Sequence, residues 1–376
     1  MMICLPAKGS RIPYLDGLRA YSILLVLFGH TVESNPWLQR KWYLKIFLAN
    51  SLLGVRIFFV LSGFLITTLL LNELDTTGRI SIRGFYERRI ARIFPAFYLY
   101  IAVIGVFTAF HVMHVPAASF YAASTYTWNF FSLRPGGTGD STGVLSHFWT
   151  LSLEEQFYVV WPSLLFFLGR RWALRLALVC VALFPLVRFG IFFLLQPGSH
   201  RDTLLTQTSQ DMIMWGCLGA FAVHRGLLNR LFAHRFRFVD PLVCGLIFFS
   251  LGGLLFAHLF IGFKYYLLPT FECVFTLLLV YWLLSGEGGL LRRGLEAWPV
   301  VQLGLISYSL YIWQQPFTIW PGMSWLRFPW NVLLPVVVAV GSYRLVEVPM
   351  RKLIRRWFSQ PQRAQLALGN LPAEPL

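Results

Sequence analysis

The stretch YLDGLRAYSILLVLFGH, from Tyr14 to His30, decides the fold because it is an apolar run that nevertheless carries ionisable residues. Its length approaches that of a membrane-crossing helix. Arg19 and His30 lie about three helical turns, or roughly 16 Å, apart and so share nearly one face. Because ionisable groups inside a membrane helix mostly serve binding or chemistry, the stretch predicts a membrane helix that lines a functional groove. The alternative is a helix end anchored by Asp16 and Arg19, with a histidine that is only packed.

The composition of the 376-residue chain predicts a membrane environment along its whole length. Hydrophobic residues make up 57% and charged residues only 13% of the chain, against roughly 25% charged residues in soluble proteins. We expect an all-α integral membrane protein with one transmembrane domain, 1–358, and a short flexible cytoplasmic tail, 359–376. The net charge of +16 does not indicate nucleic-acid binding, because the basic residues cluster in short loops between apolar runs, as on a cytoplasmic face.

The apolar runs predict about ten membrane spans. The segment 117–131 is the ambiguous part, since it is only moderately apolar and short. As a re-entrant or interfacial segment it gives ten spans with both termini cytoplasmic, whereas as an eleventh span it would place Arg170 and Arg171 outside. The positive-inside rule favours ten, because most of the 32 Lys and Arg residues then lie on the cytoplasmic side.

Two further groups of polar residues are unusual for apolar surroundings. Arg56 lies in GVRIFFVLSGFLI with Ser62 and Gly63. The arginine is expected either to reach the outer interface or to contact a substrate that arrives from that side. The small residues favour close helix packing. Arg89 and Arg92 are three residues apart and therefore on one helix face. Two guanidinium groups there suit a phosphate or pyrophosphate, and plain anchoring at the cytoplasmic surface is the alternative.

The segment HFWTLSLEEQFY, from His147 to Tyr158, supplies candidate acid–base groups. Ser152 and Glu155 have the spacing of a helix capping box, which leaves Glu154 without a structural role. A carboxylate near an imidazole would orient the ring and increase its basicity, as a general base requires. The five cysteines have no metal-ligand or disulfide spacing, and no phosphate-binding glycine loop occurs. We therefore expect no metal and no permanently bound cofactor.

With these residues the chain resembles the acyltransferase family 3 membrane proteins, bacterial O-acyltransferases of surface polysaccharides and some antibiotics. The resemblance implies ten spans in a bacterial inner membrane and an acyl-coenzyme A co-substrate, most often acetyl-coenzyme A. It also implies transfer to a hydroxyl of a glycan or lipid-linked sugar on the far side. The matching segments, in family order from Leu15 to Lys352, are LDGLRAYSILLVLFGH, GVRIFFVLSGFLIT, RRIARIFPAFYLY, HFWTLSLEEQFYVVWP, GLISYSLYIWQQP and SYRLVEVPMRK.

Carried over by position, the resemblance implies roles for individual residues. His30 is the expected catalytic residue, and Glu154 or Asp16 is expected to orient it. The donor phosphates are assigned to Arg19, Arg89 and Arg92. Arg56 stands where many members have aspartate and Gln314 where many have histidine, which leaves the acceptor open. The acceptor-side or supporting residues are Arg56, Ser62, His147, Tyr308 and Gln314.

Two mechanisms and one rival function stay open at this point. His30 either removes the proton of the acceptor hydroxyl as it attacks the thioester, or takes the acyl group first as a covalent relay. The rival is a transporter or lipid flippase whose permeation path is lined by the same charges. An extracytoplasmic esterase-like domain, fused in some family members, is not expected here, so a partner or the membrane domain itself would position the acceptor.

Overall fold

The computed structural model describes residues 11–40, 50–134, 142–196, 201, 203–205, 208, 210–227, 267–285, 289–323 and 325–369. All regular secondary structure within these ranges is helical, as the sequence predicts. A 3-10 helix (Pro321–Met323) and a π-helix (Tyr343–Glu347) accompany the α-helices. The α-helices are α1 (Pro13–Ser34), α2 (Pro36–Gln39), α3 (Ser51–Thr77), α4 (Ile82–Ala109), α5 (Ala117–Ser124), α6 (Trp128–Phe131), α7 (Phe148–Leu194), α8 (Gln210–His224), α9 (Leu268–Leu284), α10 (Gly289–Glu296), α11 (Trp298–Leu305), α12 (Ser307–Trp313), α13 (Gln315–Thr318), α14 (Trp330–Ser342) and α15 (Val348–Gly369).

Five helical stretches in the described ranges are long and apolar enough to cross a membrane, namely α1, α3, α4, α7 and Trp330–Phe358. The helices α9 and α10 make a sixth if the pair, bent by 89°, is one span. The chain is therefore an integral membrane protein. Ten spans with cytoplasmic termini stay a prediction, and the span expected near 241–263 lies outside the described residues. The segment predicted as a loose tail, 359–376, begins within α15.

The helix α7 is long enough for two membrane crossings. Its 47 residues correspond to about 70 Å of helix in total, more than twice the ~30 Å of a bilayer core. Gly169 interrupts it with φ 74° and ψ 175°, a backbone conformation that glycine adopts because it has no Cβ. The interruption separates the two apolar runs that the sequence predicts as successive spans, and Arg170 follows it directly.

The segment 117–131 forms α5 and α6, both far too short to cross a bilayer, which agrees with a re-entrant or interfacial segment. Gln156 of α7 fixes it, donating to the Tyr126 carbonyl at 2.9 Å and to Asn129 Oδ1 at 3.0 Å. Ser152 of α7 accepts the Trp128 N–H at 3.2 Å. The predicted capping box is therefore wrong: α7 begins at Phe148, one turn before Ser152.

Glycines bring the helix backbones around α1 and α3 into direct contact. A Cβ on Gly63 of α3 would lie 2.0 Å from the Ile213 carbonyl oxygen of α8. A Cβ on Gly304 of α11 would lie 1.9 Å from the Asp16 carbonyl oxygen. Such close approach is available to glycine alone. The close packing predicted at Gly63 is thus confirmed, and α11 is held against the start of α1.

Two buried ion pairs connect apolar helices. Arg56 of α3 pairs with Glu272 of α9, and Arg188 of α7 donates to both carboxylate oxygens of Asp211 at 2.6 and 2.8 Å. Arg56 is only 8% exposed, so the expectation that it reaches the outer interface is wrong. The carboxylate on α9 holds it inside the bundle, because a buried guanidinium requires an opposite charge.

Candidate functional site

Two neighbouring cavities lie beside α1. The larger one, about 540 Å³ in volume and here called the vestibule, lies among α1, α3, α4, α11, the π-helix and α15. The smaller one, about 70 Å³ and here called the inner cavity, lies among α1, α3, α4, α7 and α12. The vestibule and the inner cavity are direct neighbours, because four residues line both: Arg19, Arg89, Arg92 and Tyr308.

The vestibule is strongly basic. Its lining carries two carboxylates, Asp16 and Glu347, against seven arginines: Arg11, Arg19, Arg88, Arg89, Arg92, Arg351 and Arg355. Like charges gathered around one space repel each other unless an anion enters it. The lining therefore favours a ligand with several negative charges.

The arginines of the vestibule differ in whether a carboxylate neutralises them. Arg19 lies 3.6 Å from Asp16, and Arg88 lies 3.6 Å from Glu73. Within the described ranges, by contrast, no carboxylate comes within ion-pair distance of Arg89 or Arg92. These two guanidinium groups are therefore available to a ligand.

Helix α4 explains why these two arginines face the cavities together. Ser81 caps its start by accepting the Gly84 N–H at 3.2 Å, and the spacing of three residues puts Arg89 and Arg92 on one face. The guanidinium of Arg89 also lies 4.6 Å above the centre of the Tyr158 ring. This cation–π contact orients Arg89 without neutralising its charge.

A hydrogen-bonded carboxylate, that of Glu154, lines the inner cavity together with these arginines. Glu154 accepts hydrogen bonds from the hydroxyls of Ser62 and Tyr158, the latter at 2.7 Å. The Tyr158 hydroxyl lies 3.1 Å from Ser62 Oγ. Glu155 also lines the inner cavity. The structure thus brings Glu154 and Ser62 to the site, and Tyr158 is a member that the sequence did not single out.

His30 has a different partner from the one expected. Its Nδ1 lies 3.2 Å from Oε1 of Gln314, whereas Glu154 bonds to Ser62 and Tyr158, and Asp16 to Arg19. The expectation that Glu154 or Asp16 orients His30 is therefore wrong for the described contacts. Asp16 lies about 21 Å before His30 along the same helix, too far for a side-chain hydrogen bond.

The helix α12 connects His30 to the inner cavity. His30 is not among the lining residues of that cavity, but Tyr311 is, and Gln314 follows Tyr311 by one helical turn. The Tyr311 hydroxyl lies 2.5 Å from Thr150 Oγ1 and 3.3 Å from the His147 carbonyl oxygen. The Tyr311 and His147 rings lie 5.4 Å apart. The histidines thus adjoin the end of the inner cavity that Thr150 and Tyr311 form.

His147 is the second histidine of this region. It is 3% exposed, and neither ring nitrogen has a hydrogen-bond partner among the described residues. Its charge would interact with that of His30. Buried imidazole nitrogens are normally paired, so this ring has hydrogen-bonding capacity that the described fold does not use.

The remaining predicted residues differ in whether they line the cavities. Tyr308 lines both cavities and donates to the Ile93 carbonyl at 3.1 Å, so it belongs to the site, whereas Arg56 lines neither cavity. The sequence interpretation missed Tyr311 and Thr150, which carry no charge to mark them in an apolar run. In the described part of the chain, no group of three or more His, Cys, Asp or Glu side chains is placed to hold a metal.

Comparison with known proteins assigns the chain to a family. A family model described as an acyltransferase domain matches residues 12–343. The chain is 26% identical over 367 residues to the O-acetyltransferase OatA of Staphylococcus aureus, and equally so to the peptidoglycan O-acetyltransferase OatA of Listeria monocytogenes. These alignments cover 91% of this chain but 57% and 56% of the two relatives, so the chain spans little more than half their length. No solved structure was found to match it.

The family match covers both sides of the site. The range 12–343 contains His30 and Gln314, the two unneutralised arginines on α4, and the carboxylate cluster around Glu154. The resemblance seen in the sequence segments is therefore confirmed over most of the chain, and the protein belongs to the acyltransferase family 3 of membrane proteins.

Proposed function

We propose that the chain is a membrane O-acetyltransferase of a bacterial inner membrane. It takes an acyl group, acetyl in the first instance, from cytoplasmic acyl-coenzyme A and transfers it to a hydroxyl of a glycan or glycolipid. The observation that carries the proposal is the pair Arg89 and Arg92, which face the vestibule with no carboxylate within ion-pair distance in the described ranges. Guanidinium groups bind phosphate oxygens bidentately, and coenzyme A carries both a pyrophosphate and a 3′-phosphate.

The sizes and linings of the two cavities suit the two parts of coenzyme A. A volume of about 540 Å³ lined by seven arginines suits the phosphorylated nucleotide. The smaller inner cavity, of about 70 Å³, suits the thin pantetheine arm that carries the thioester. Its wall offers the arm's amide groups two partners, the Glu154 carboxylate and the Tyr308 hydroxyl. The donor would then run from the vestibule towards Thr150 and Tyr311.

His30 supplies the base in the direct mechanism. Its Nε2 takes the proton of the acceptor hydroxyl while the hydroxyl oxygen attacks the thioester carbon. The carbon–sulfur bond then breaks, and the leaving thiolate takes the proton from the imidazolium to give free coenzyme A. Atoms and charge balance without a metal or redox partner. In the relay mechanism Nε2 itself attacks the thioester carbon, and the carbon–sulfur bond breaks to release coenzyme A as a thiolate. The acceptor oxygen then attacks the acyl carbon, the bond from that carbon to Nε2 breaks, and the hydroxyl proton passes to the thiolate, which leaves His30 neutral.

The names of the relatives suggest what to try as acceptor. Both are called O-acetyltransferases, and the Listeria protein is named for peptidoglycan. Cell-wall glycan fragments and lipid-linked sugar precursors are therefore the first acceptors to test with acetyl-coenzyme A. The match to this chain covers 57% and 56% of those proteins, so acceptor recognition is tested with this chain and not assumed from them.

The proposal is tested with membranes that contain the parent protein or the His30→Gln variant. Glutamine keeps the length and a hydrogen-bonding amide but does not accept a proton at neutral pH. We expect the variant to insert and to bind coenzyme A, while release of free thiol from acetyl-coenzyme A falls about a hundred- to ten-thousandfold. If the inserted variant kept a rate within a few-fold of the parent, His30 would be structural.

The same assay separates the enzyme from a transporter or flippase. A transporter would move its substrate across the membrane without consuming acetyl-coenzyme A. Release of thiol that depends on an added glycan acceptor supports acyl transfer. Movement of the glycan with no thiol released would overturn the proposed function.

A further inference from the structure

The hydrogen bond between His30 and Gln314 joins two distant parts of the chain at a buried position. Gln314 is fully buried, at 0% exposure, and its Oε1 lies 3.2 Å from His30 Nδ1. It follows α12 directly, and it lies one helical turn after Tyr311, which lines the inner cavity. The position of this amide is therefore fixed relative to the donor path.

The amide of Gln314 has no structural role that its hydrogen bonds reveal. Its side chain makes no other hydrogen bond with the described residues, and its buried Nε2 has no partner there. A buried glutamine that served packing alone would have these donors satisfied. Among the described residues, the Gln314 amide therefore contacts only His30 through a side-chain hydrogen bond.

We propose that Gln314 is the positioning residue of the reaction, fixing which nitrogen of His30 reacts. Its carbonyl oxygen accepts the hydrogen of Nδ1, so the lone pair of neutral His30 lies on Nε2. A ring held in this tautomer presents Nε2 to the acceptor hydroxyl, or to the thioester carbon in the relay mechanism. This inference rests on the proposed function, because it requires that His30 reacts.

Two substitutions at Gln314 test the role in different ways. Gln314→Met keeps the approximate length but removes the oxygen that accepts the hydrogen bond from Nδ1. We expect kcat to fall about three- to tenfold, as for the loss of one neutral hydrogen bond, with the KM for acetyl-coenzyme A unchanged.

Gln314→Glu places a carboxylate beside Nδ1–H, which stabilises the protonated ring. His30 then loses its proton at a higher pH, so the acid limb of the kcat/KM profile moves up by about one pH unit or more.

The neighbouring Gln315 provides a matched control. It is 1% exposed, and its Oε1 has no hydrogen-bond partner among the described residues. Gln315→Met therefore makes the same chemical change at the next buried position, and we expect the parent kcat and the parent pH profile. His147, whose charge would interact with that of His30, is kept in all variants, so a shift is assigned to position 314.

The outcomes separate this inference from the proposed function. An active Gln314→Glu protein with the parent pH profile, or equal losses in Gln314→Met and Gln315→Met, would overturn the positioning role. If Gln314→Glu fails to fold, the unchanged KM and lowered kcat of Gln314→Met decide, and a parent-like kcat there also overturns it. An active His30→Gln protein would instead remove the proposed base itself, and the role of Gln314 with it.

Discussion

Two arginines of the membrane domain differ in whether a carboxylate neutralises their charge. Arg56 on α3 is 8% exposed and paired with Glu272 on α9. Arg92 on α4 lines the vestibule together with Arg19 and Arg89. In the described ranges no carboxylate lies within ion-pair distance of it. A guanidinium with a protein partner stabilises the helix bundle, whereas one without such a partner is available to bind an anion. The presence or absence of a carboxylate partner therefore indicates whether an arginine stabilises the fold or binds an anion. The apolar sequence around the arginine does not.

The largest expected effect is on the free energy of unfolding when the ion-paired arginine, Arg56, is replaced. Arg56→Met leaves the buried Glu272 carboxylate without its partner, and breaking such a pair costs about 3–5 kcal/mol of unfolding free energy. The measurement is denaturant or thermal unfolding of the purified protein in detergent. The double variant Arg56→Met, Glu272→Leu is the control, since replacing both charges by apolar groups is often close to neutral. A stable single variant would show that Arg56 does not hold the bundle.

The next largest effect is expected from ionic strength, which should change coenzyme A binding at the vestibule more than the stability given by the buried Arg56–Glu272 pair. Salt screens charges that solvent reaches, with a Debye length of about 10 Å at 0.1 M and about 3 Å at 1 M, and affects buried pairs far less. Raising the salt over this range should weaken coenzyme A binding several-fold while the thermal midpoint changes little. Coenzyme A affinity that does not depend on salt would contradict docking by the arginines of the vestibule.

The smallest expected effect is on stability at the unneutralised arginine. Arg92→Gln removes one of several like charges and breaks no ion pair that the structure shows. Its unfolding free energy without coenzyme A should therefore stay within about 0.5 kcal/mol of the parent or rise slightly. Unfolding in detergent checks this beside the Arg56 variants. A loss comparable to that of Arg56→Met would place Arg92 among the structural arginines.

The sequence predicted those parts of the site that depend on one helix. The spacing of Arg89 and Arg92 put them on one face, and both line the two cavities. Apolar runs predicted the five helical stretches of the described ranges that are long and apolar enough to cross a membrane, and the segment 117–131, which forms two short helices, was separated from them. Such predictions succeed because helical periodicity relates residues that are close in the chain.

Contacts between distant helices could not be predicted in the same way. Arg56 and Glu272 are 216 residues apart, and His30 and Gln314 are 284 apart. Periodicity says which face a residue occupies but not which helix packs there. The capping box at Ser152 failed for a local reason, because α7 begins one turn earlier and the Ser152 hydroxyl accepts the Trp128 N–H instead.

The most direct test of the comparison measures coenzyme A and pantetheine binding to the parent and to Arg92→Gln by calorimetry. Pantetheine has the thiol arm without the phosphates. If Arg92 binds a donor phosphate, the variant should lose about ten- to a hundredfold in coenzyme A affinity, since a hydrogen bond to a charged group contributes about 1.5–3 kcal/mol. Its pantetheine affinity should match that of the parent. Unchanged coenzyme A affinity, or an equal loss for both ligands, would contradict the account.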